Sequence, residues 1–119
     1  MPCSVLVVDD DASFRDLASR VLTGWGHVVI GEAGSVEEAL TRAAELGPDT
    51  ALVDIGLPDG DGFALTQQLR ALPSPPRVVL ISSDADGANA LAARRAGACG
   101  FFPKHELSDR ALRQLIEGG

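Results

Sequence analysis

The apolar positions of the chain alternate between two rhythms. Short unbroken runs rich in β-branched residues take turns with longer stretches in which apolar residues return every three or four positions. "SVLVV", residues 4–8, has strand length. After it, Phe14, Leu17, Ala18, Val21 and Leu22 keep helical spacing, and Gly24 closes the segment. "HVVIGEA", residues 27–33, predicts a second strand. Ser35 and Glu38 form a capping box ahead of Val36, Ala39, Leu40 and Ala43 on one helix face. "TALVD", residues 50–54, predicts a third strand, and Asp61 stands ready to cap a helix carrying Phe63, Leu65, Leu69 and Leu72. "RVVLIS", residues 77–82, predicts a fourth strand. An alanine-rich helix then runs from about Gly87 to Ala96 and stops at Gly97. "GFF", residues 100–102, is a short fifth strand, and a last helix carries Leu107, Ala111, Leu112, Leu115 and Ile116.

Five strands therefore alternate with five helices. The strands are continuous apolar runs rather than strict alternations, so both faces of the sheet should be covered. Helix-length crossovers between short strands require a parallel sheet. The expectation is a doubly wound α/β fold.

The chain has 119 residues, enough for one domain over 1–119. Its apolar runs are too short to span a bilayer, and "MPCSVLVV" has neither the basic start nor the cleavage pattern of a secretion signal, which places the chain in the cytoplasm by default. Cys3 and Cys99 have no CxxC spacing and read as small buried hydrophobes. A net charge of −7 argues against nucleic-acid contact by these residues. Arg94 and Arg95 read as a solvated helix face, and Phe14, Trp25, Phe63, Phe101 and Phe102 form no base-stacking series.

Charge matters more when it is placed on the strand ends. The first strand runs into Asp9, Asp10 and Asp11, the third into Asp54, the fourth into Ser82 and Ser83, and the fifth through Pro103 into Lys104. In a parallel sheet all these ends lie on one edge, where ligands of open α/β sheets bind. With strand order 2-1-3-4-5, Asp9, Asp10 and Asp54 converge in one crevice. Converging carboxylates resist ionising together. A divalent cation offsets that repulsion, and Mg²⁺ suits a few carboxylates, retained waters and a phosphoryl group. Lys104 adds a mobile positive charge and Ser82 a hydroxyl. Such a set can position a phosphoryl group and stabilise its oxygens, with a carboxylate as nucleophile.

The motifs "VVDDD", "LVDIGLPDGDG", "LISSDAD" and "GACGFFPKHEL", in this order and each at a strand end, resemble the receiver domains of bacterial two-component response regulators. The resemblance covers essentially the whole chain. It implies a flavodoxin-like sheet and a Mg²⁺-dependent signalling switch rather than an enzyme. Asp54 matches the phosphoacceptor, Asp10 a direct metal ligand, Asp9 a metal-site acid, and Gly56 the position whose carbonyl meets the metal. Ser82 matches the hydroxyl that bonds the phosphoryl group, Lys104 the lysine that pairs with it, and Phe101 the aromatic switch position. The implied partners are a sensor histidine kinase or phosphotransfer protein, and an output domain or second receiver docking on the surface of the fourth helix, fifth strand and fifth helix. Two positions depart from the common pattern. Pro103 precedes Lys104 and His105 follows it, so the Lys104–His105 bond is expected to be trans. Ser83 stands where a smaller residue is usual.

Structural readings apply to the remaining residues. Asp11 is a helix cap, Asp59 shapes the Pro58-Asp59-Gly60 turn, and Asp61 is an N-cap. His27 and His105 are expected at the surface or an edge, and Trp25 at a helix end. Two rival readings stand. One is a haloacid-dehalogenase-type phosphatase using Asp9 and Asp11, which leaves "DIGLPDGDG" unexplained. The other is a receiver-like interaction module that is not phosphorylated.

Overall fold

In a computed structural model of the chain, residues 2–83, 87–108 and 110–117 are described, with 87 and 88 given by their backbone alone. Five strands build one parallel sheet: β1 (Ser4–Val8), β2 (Val28–Ala33), β3 (Thr50–Asp54), β4 (Arg77–Ser82) and β5 (Gly100–Pro103). They lie side by side in the order β2-β1-β3-β4-β5. Five helices separate and follow them: α1 (Ala12–Gly24), α2 (Val36–Leu46), α3 (Gly62–Arg70), α4 (Gly87–Ala96) and α5 (Arg110–Ile116).

Strand pleating sorts the apolar runs into two cores. Leu6, Val8, Ala51, Val53, Val78 and Leu80 face α2, α3 and α4 through Ala39, Ala43, Leu65, Leu69 and Ala93. The intervening residues Val5, Val7, Leu52, Val79 and Ile81 face α1 and α5 through Phe14, Ala18, Leu22, Leu112 and Ile116. In the three central strands the apolar residues on both faces are fully buried, which is why they read as unbroken apolar runs. Each such Val or Leu contributes about 1.5–3 kcal/mol of burial.

The expected caps form. Asp11 accepts from Ser13 N at the start of α1, and Asp61 accepts from Ala64 N at the start of α3. Ser35 Oγ accepts from Glu38 N, while Glu38 Oε1 accepts from the Gly34 N–H. Gly47, at φ +58, ends α2 in the left-handed conformation that glycine adopts most easily.

Five details differ from the sequence reading. The second strand starts at Val28, because His27 turns inward. A two-stranded antiparallel ribbon, Gly56–Leu57 against Gly60–Asp61, stands between β3 and α3. Leu107 is buried but lies outside α5; after Pro103 the chain makes a 3₁₀ turn over Lys104–Glu106. Cys99 is exposed and Cys3 half-buried, so neither is the buried hydrophobe expected. His27 is only 4% exposed, held by two hydrogen-bonding partners, and is not a surface residue. The described peptide bonds are all trans, Lys104–His105 among them. Among the described residues, no helix is long and apolar enough to cross a membrane.

Candidate functional site

The carboxyl ends of β1, β3, β4 and β5 meet at one edge. Adjacent strands set the spacing: Val8 pairs with Val53, Asp54 with Ile81, and Ser82 with Pro103. Asp9 and Asp54 therefore leave neighbouring strands side by side, Ser82 ends β4, and Lys104 follows Pro103 at the end of β5.

Asp9, Asp10 and Asp54 can each offer one carboxylate oxygen such that these oxygens lie within 4.8 Å of one another. Asp9 is 0% exposed and Asp54 7%, whereas Asp10 faces solvent. Lys104 Nζ reaches into the cluster, 2.7 Å from Asp9 Oδ2 and 3.5 Å from Asp54 Oδ2. The Asp9 contact is ionic but lacks hydrogen-bond alignment, so Asp9 Oδ2 is a buried oxygen with no aligned donor. Asp9 Oδ1 accepts from the Asp11 N–H at 2.8 Å.

Burial, followed by the charge of Asp9, pushes the Asp54 carboxyl above its ordinary value; Lys104 and a hydrogen bond from the Gly56 N–H pull the other way. Burial opposes the charge on Lys104, but its contact with Asp9 and the charges of Asp54 and Asp9 together raise its pKa above the ordinary lysine value. Two of the three clustered carboxylates thus share one ammonium. This donor set fits a hard divalent cation: oxygen ligands only, two of them buried, and one side open for the waters that Mg²⁺ retains.

The other expected residues fall as follows. Ser82 is 3% exposed at the end of β4. Phe101 is half-buried on β5 and packs against the core beneath α2, α3 and α4. Gly56 is exposed in the ribbon, and a Cβ there would meet nothing within 4 Å, so its role is not to avoid a clash. Ser83 is exposed, and residues 84–86 of the "LISSDAD" motif lie outside the described residues. Asp11 stands apart from the carboxylate cluster and is engaged as the α1 cap, so the Asp9-x-Asp11 pairing of the phosphatase reading does not converge.

Three contacts at the site have no local sequence signal. The Phe14 ring lies beneath Lys104, with Nζ 4.6 Å from its centroid. Arg15 donates from Nη1 to the Asp9 carbonyl at 2.6 Å and from Nε to Glu32 at 3.1 Å, tying α1 across the ends of β1 and β2. Asp59, read as a turn former, accepts from the backbone of α2. Helical periodicity marks Phe14 as a core position, but nothing in the sequence says what lies over its face.

The response regulator receiver domain family matches residues 5–117. Chemotaxis protein CheY of Bacillus subtilis is 28% identical over 111 residues, covering 93% of this chain and 92% of that protein. A protein-glutamate methylesterase/protein-glutamine glutaminase of Anaeromyxobacter dehalogenans is 40% identical over 116 residues, which are 95% of this chain and 33% of that protein. The solved signal receiver domain of NarL from Mycobacterium tuberculosis superimposes with a TM-score of 0.87 at 33% identity, covering 99% of this chain and 98% of that one. The chain spans about half or less of several curated relatives that it matches.

Proposed function

We propose a residue-level mechanism for this chain, which belongs to the response regulator receiver domain family and so works as a phosphorylation-dependent signalling switch: Asp54 takes the phosphoryl group. The observation that carries this reading is the placement of Asp54. It is a buried carboxylate at the end of the middle strand, clustered with Asp9 and Asp10 and with Lys104 Nζ 3.5 Å away.

The donor in this reading is the phosphohistidine of a sensor histidine kinase or phosphotransfer protein. An Asp54 carboxylate oxygen attacks phosphorus, the new O–P bond forms, and the N–P bond breaks with its electron pair leaving on the imidazole. Asp9, Asp10 and Asp54, with the Gly56 carbonyl, would hold Mg²⁺, which when bound supplies positive charge to the phosphoryl oxygens. Lys104 is already oriented by Asp9 and Phe14 to pair with the product. Ser82 supplies a hydroxyl at the neighbouring strand end. Phosphorylation adds charge where Lys104 and Ser82 can follow it, and so biases a two-state element. Phe101, on the same strand as the lysine's approach, is the aromatic that reports the change to the α4–β5–α5 face. An output domain or a second receiver is the partner proposed there. The domain spans 1–119, works in the cytoplasm, and acts on no substrate beyond its own phosphoryl group.

Incubation with Mg²⁺ and a small-molecule phosphoryl donor should label the wild type, and Asp54→Asn should reduce the label to background. Equal labelling of Asp54→Asn overturns the assignment.

A further inference from the structure

Resting on the metal reading above, we infer that Asp59 is a positioning residue for the metal side of the site: its carboxylate clamps the segment that carries Gly56 onto the first turn of α2. Asp59 Oδ1 accepts from Val36 N at 2.7 Å, and Asp59 Oδ2 accepts from Glu37 N at 3.1 Å. Both bonds cross more than twenty residues of chain. They satisfy two of the amides that a helix N-terminus leaves without partners, and Ser35 satisfies the next one, Glu38. The local capping box therefore covers only part of the first turn of α2. The remainder depends on the loop that leaves the site.

The ribbon is pinned at three places. At its base, Gly62 N donates to Ile55 O at 2.8 Å. On one arm, Asp61 caps α3 through Ala64 N at 2.8 Å. At its tip, Asp59 grips α2, and a Cβ at the adjacent Gly60 would sit 3.1 Å from Val36 Cγ2. Gly56 pairs with Asp61 across the ribbon, between these anchors. Without the tip contact the ribbon would be held from the α3 side only. The charge is suited to its place: the Val36 and Glu37 N–H groups hold the Asp59 carboxyl below the ordinary aspartate value, as expected at the positive end of a helix. Asparagine is a poor substitute, because its NH₂ would oppose one of the two N–H donors.

A turn residue of purely local importance would not affect metal binding, whereas residues that orient a metal site do, commonly by ten- to a hundredfold when they hold a ligand directly. Asp59 acts one step further away, through the backbone, so a loss of roughly five- to tenfold in Mg²⁺ affinity is expected for Asp59→Ala. Linkage makes the effect reciprocal. Mg²⁺ should slow amide exchange at Val36 and Glu37 in the wild type, and not in the variant.

The test is Mg²⁺ titration and amide hydrogen exchange, both by NMR, on the wild type, Asp59→Ala, Asp59→Asn and Ser35→Ala. Ser35→Ala removes a cap from the same helix but leaves the ribbon untouched. It should loosen α2 with wild-type Mg²⁺ affinity, while both Asp59 variants weaken the metal and speed exchange of the ribbon amides. Wild-type affinity in Asp59→Ala overturns the inference alone. Equal weakening by Ser35→Ala also overturns it, by assigning the effect to fraying of α2. A wild type that does not bind Mg²⁺ overturns the proposed function and this inference together.

Discussion

The two ends of the sheet treat their polar groups in opposite ways. At the amino end, most polar groups are matched, the buried Thr50 hydroxyl being an exception. Ser4 N donates to Asp49 Oδ2 at 3.0 Å, and Asp49 N returns a bond to Ser4 Oγ at 2.9 Å. His27 Nδ1 accepts from Cys3 N at 3.0 Å, and Nε2 lies 3.1 Å from Glu117. Arg113 completes that group, bonding Glu117 at 2.9 Å and lying over Trp25. At the carboxyl end, three carboxylates cluster and two of them share one lysine, and the pKa of Asp54 is pushed up by burial and by Asp9. The first arrangement ties strands and helices together. The second stores unfavourable charge that a cation can relieve. A fold that holds such a site must be stabilised elsewhere, and the amino end is one such place.

The comparison breaks most severely at the join between site and core. A Cβ at Gly62 would lie 2.7 Å from both Asp54 O and Ile55 Cα, backbone atoms that cannot yield independently. Gly62→Ala is expected to destabilise by about 3 kcal/mol, at the upper end of overpacking penalties, and to displace Asp54 as well. Denaturant unfolding and phosphoryl labelling should both fall; a variant of wild-type stability would show that the ribbon base is softer than the structure indicates.

The amino end should separate stability from chemistry. His27→Ala leaves the half-buried Cys3 N–H without its acceptor and opens a small cavity where the buried ring stood, a loss of about 2 kcal/mol. Mg²⁺ affinity and labelling at Asp54 should be unchanged at a temperature where the variant is folded. A large drop in metal affinity would mean that the two ends are coupled, and the contrast drawn between them would fail.

What the sequence shows and hides divides along a related line. Strand and helix periodicity is local, so the alternation of elements, the sheet's two covered faces and the caps at Asp11, Ser35 and Asp61 can all be read from neighbouring residues. The clustering of Asp9, Asp10, Asp54 and Lys104 is nonlocal, yet it can be read because parallel strands bring all carboxyl ends to one edge. His27 escapes that reasoning: its partners lie 24 and 90 residues away, at the opposite edge. Asp59 escapes it too, because turn chemistry explains its presence without reference to α2. Leu107 keeps helical spacing with α5 but follows Lys104–Glu106, where the chain turns as a 3₁₀ helix. Cys99 shows that small apolar character alone does not assign burial on a short strand's approach.

The smallest effect is the one that tests the stored charge directly. The Asp54 carboxyl has a raised pKa in the folded protein against an ordinary value of 3.8. Between those two values the folded state binds more protons than the unfolded state, so stability falls as pH rises through that window. At neutral pH the ionised Asp54 therefore destabilises the metal-free fold, and below 3.8 the penalty is gone because both states are protonated. Asp54→Asn removes the charge while keeping the shape. Without metal at neutral pH it should be more stable than the wild type by about 0.5–2 kcal/mol, within the range of single stabilising changes. The gain should shrink as pH falls through the folded-state pKa. Saturating Mg²⁺ should raise the wild type's melting temperature more than the variant's, because only the wild type keeps all three carboxylates. A variant less stable than wild type at neutral pH would mean that Lys104 already compensates Asp54 fully. The carboxyl end would then be as well matched as the amino end, and the contrast between them would vanish.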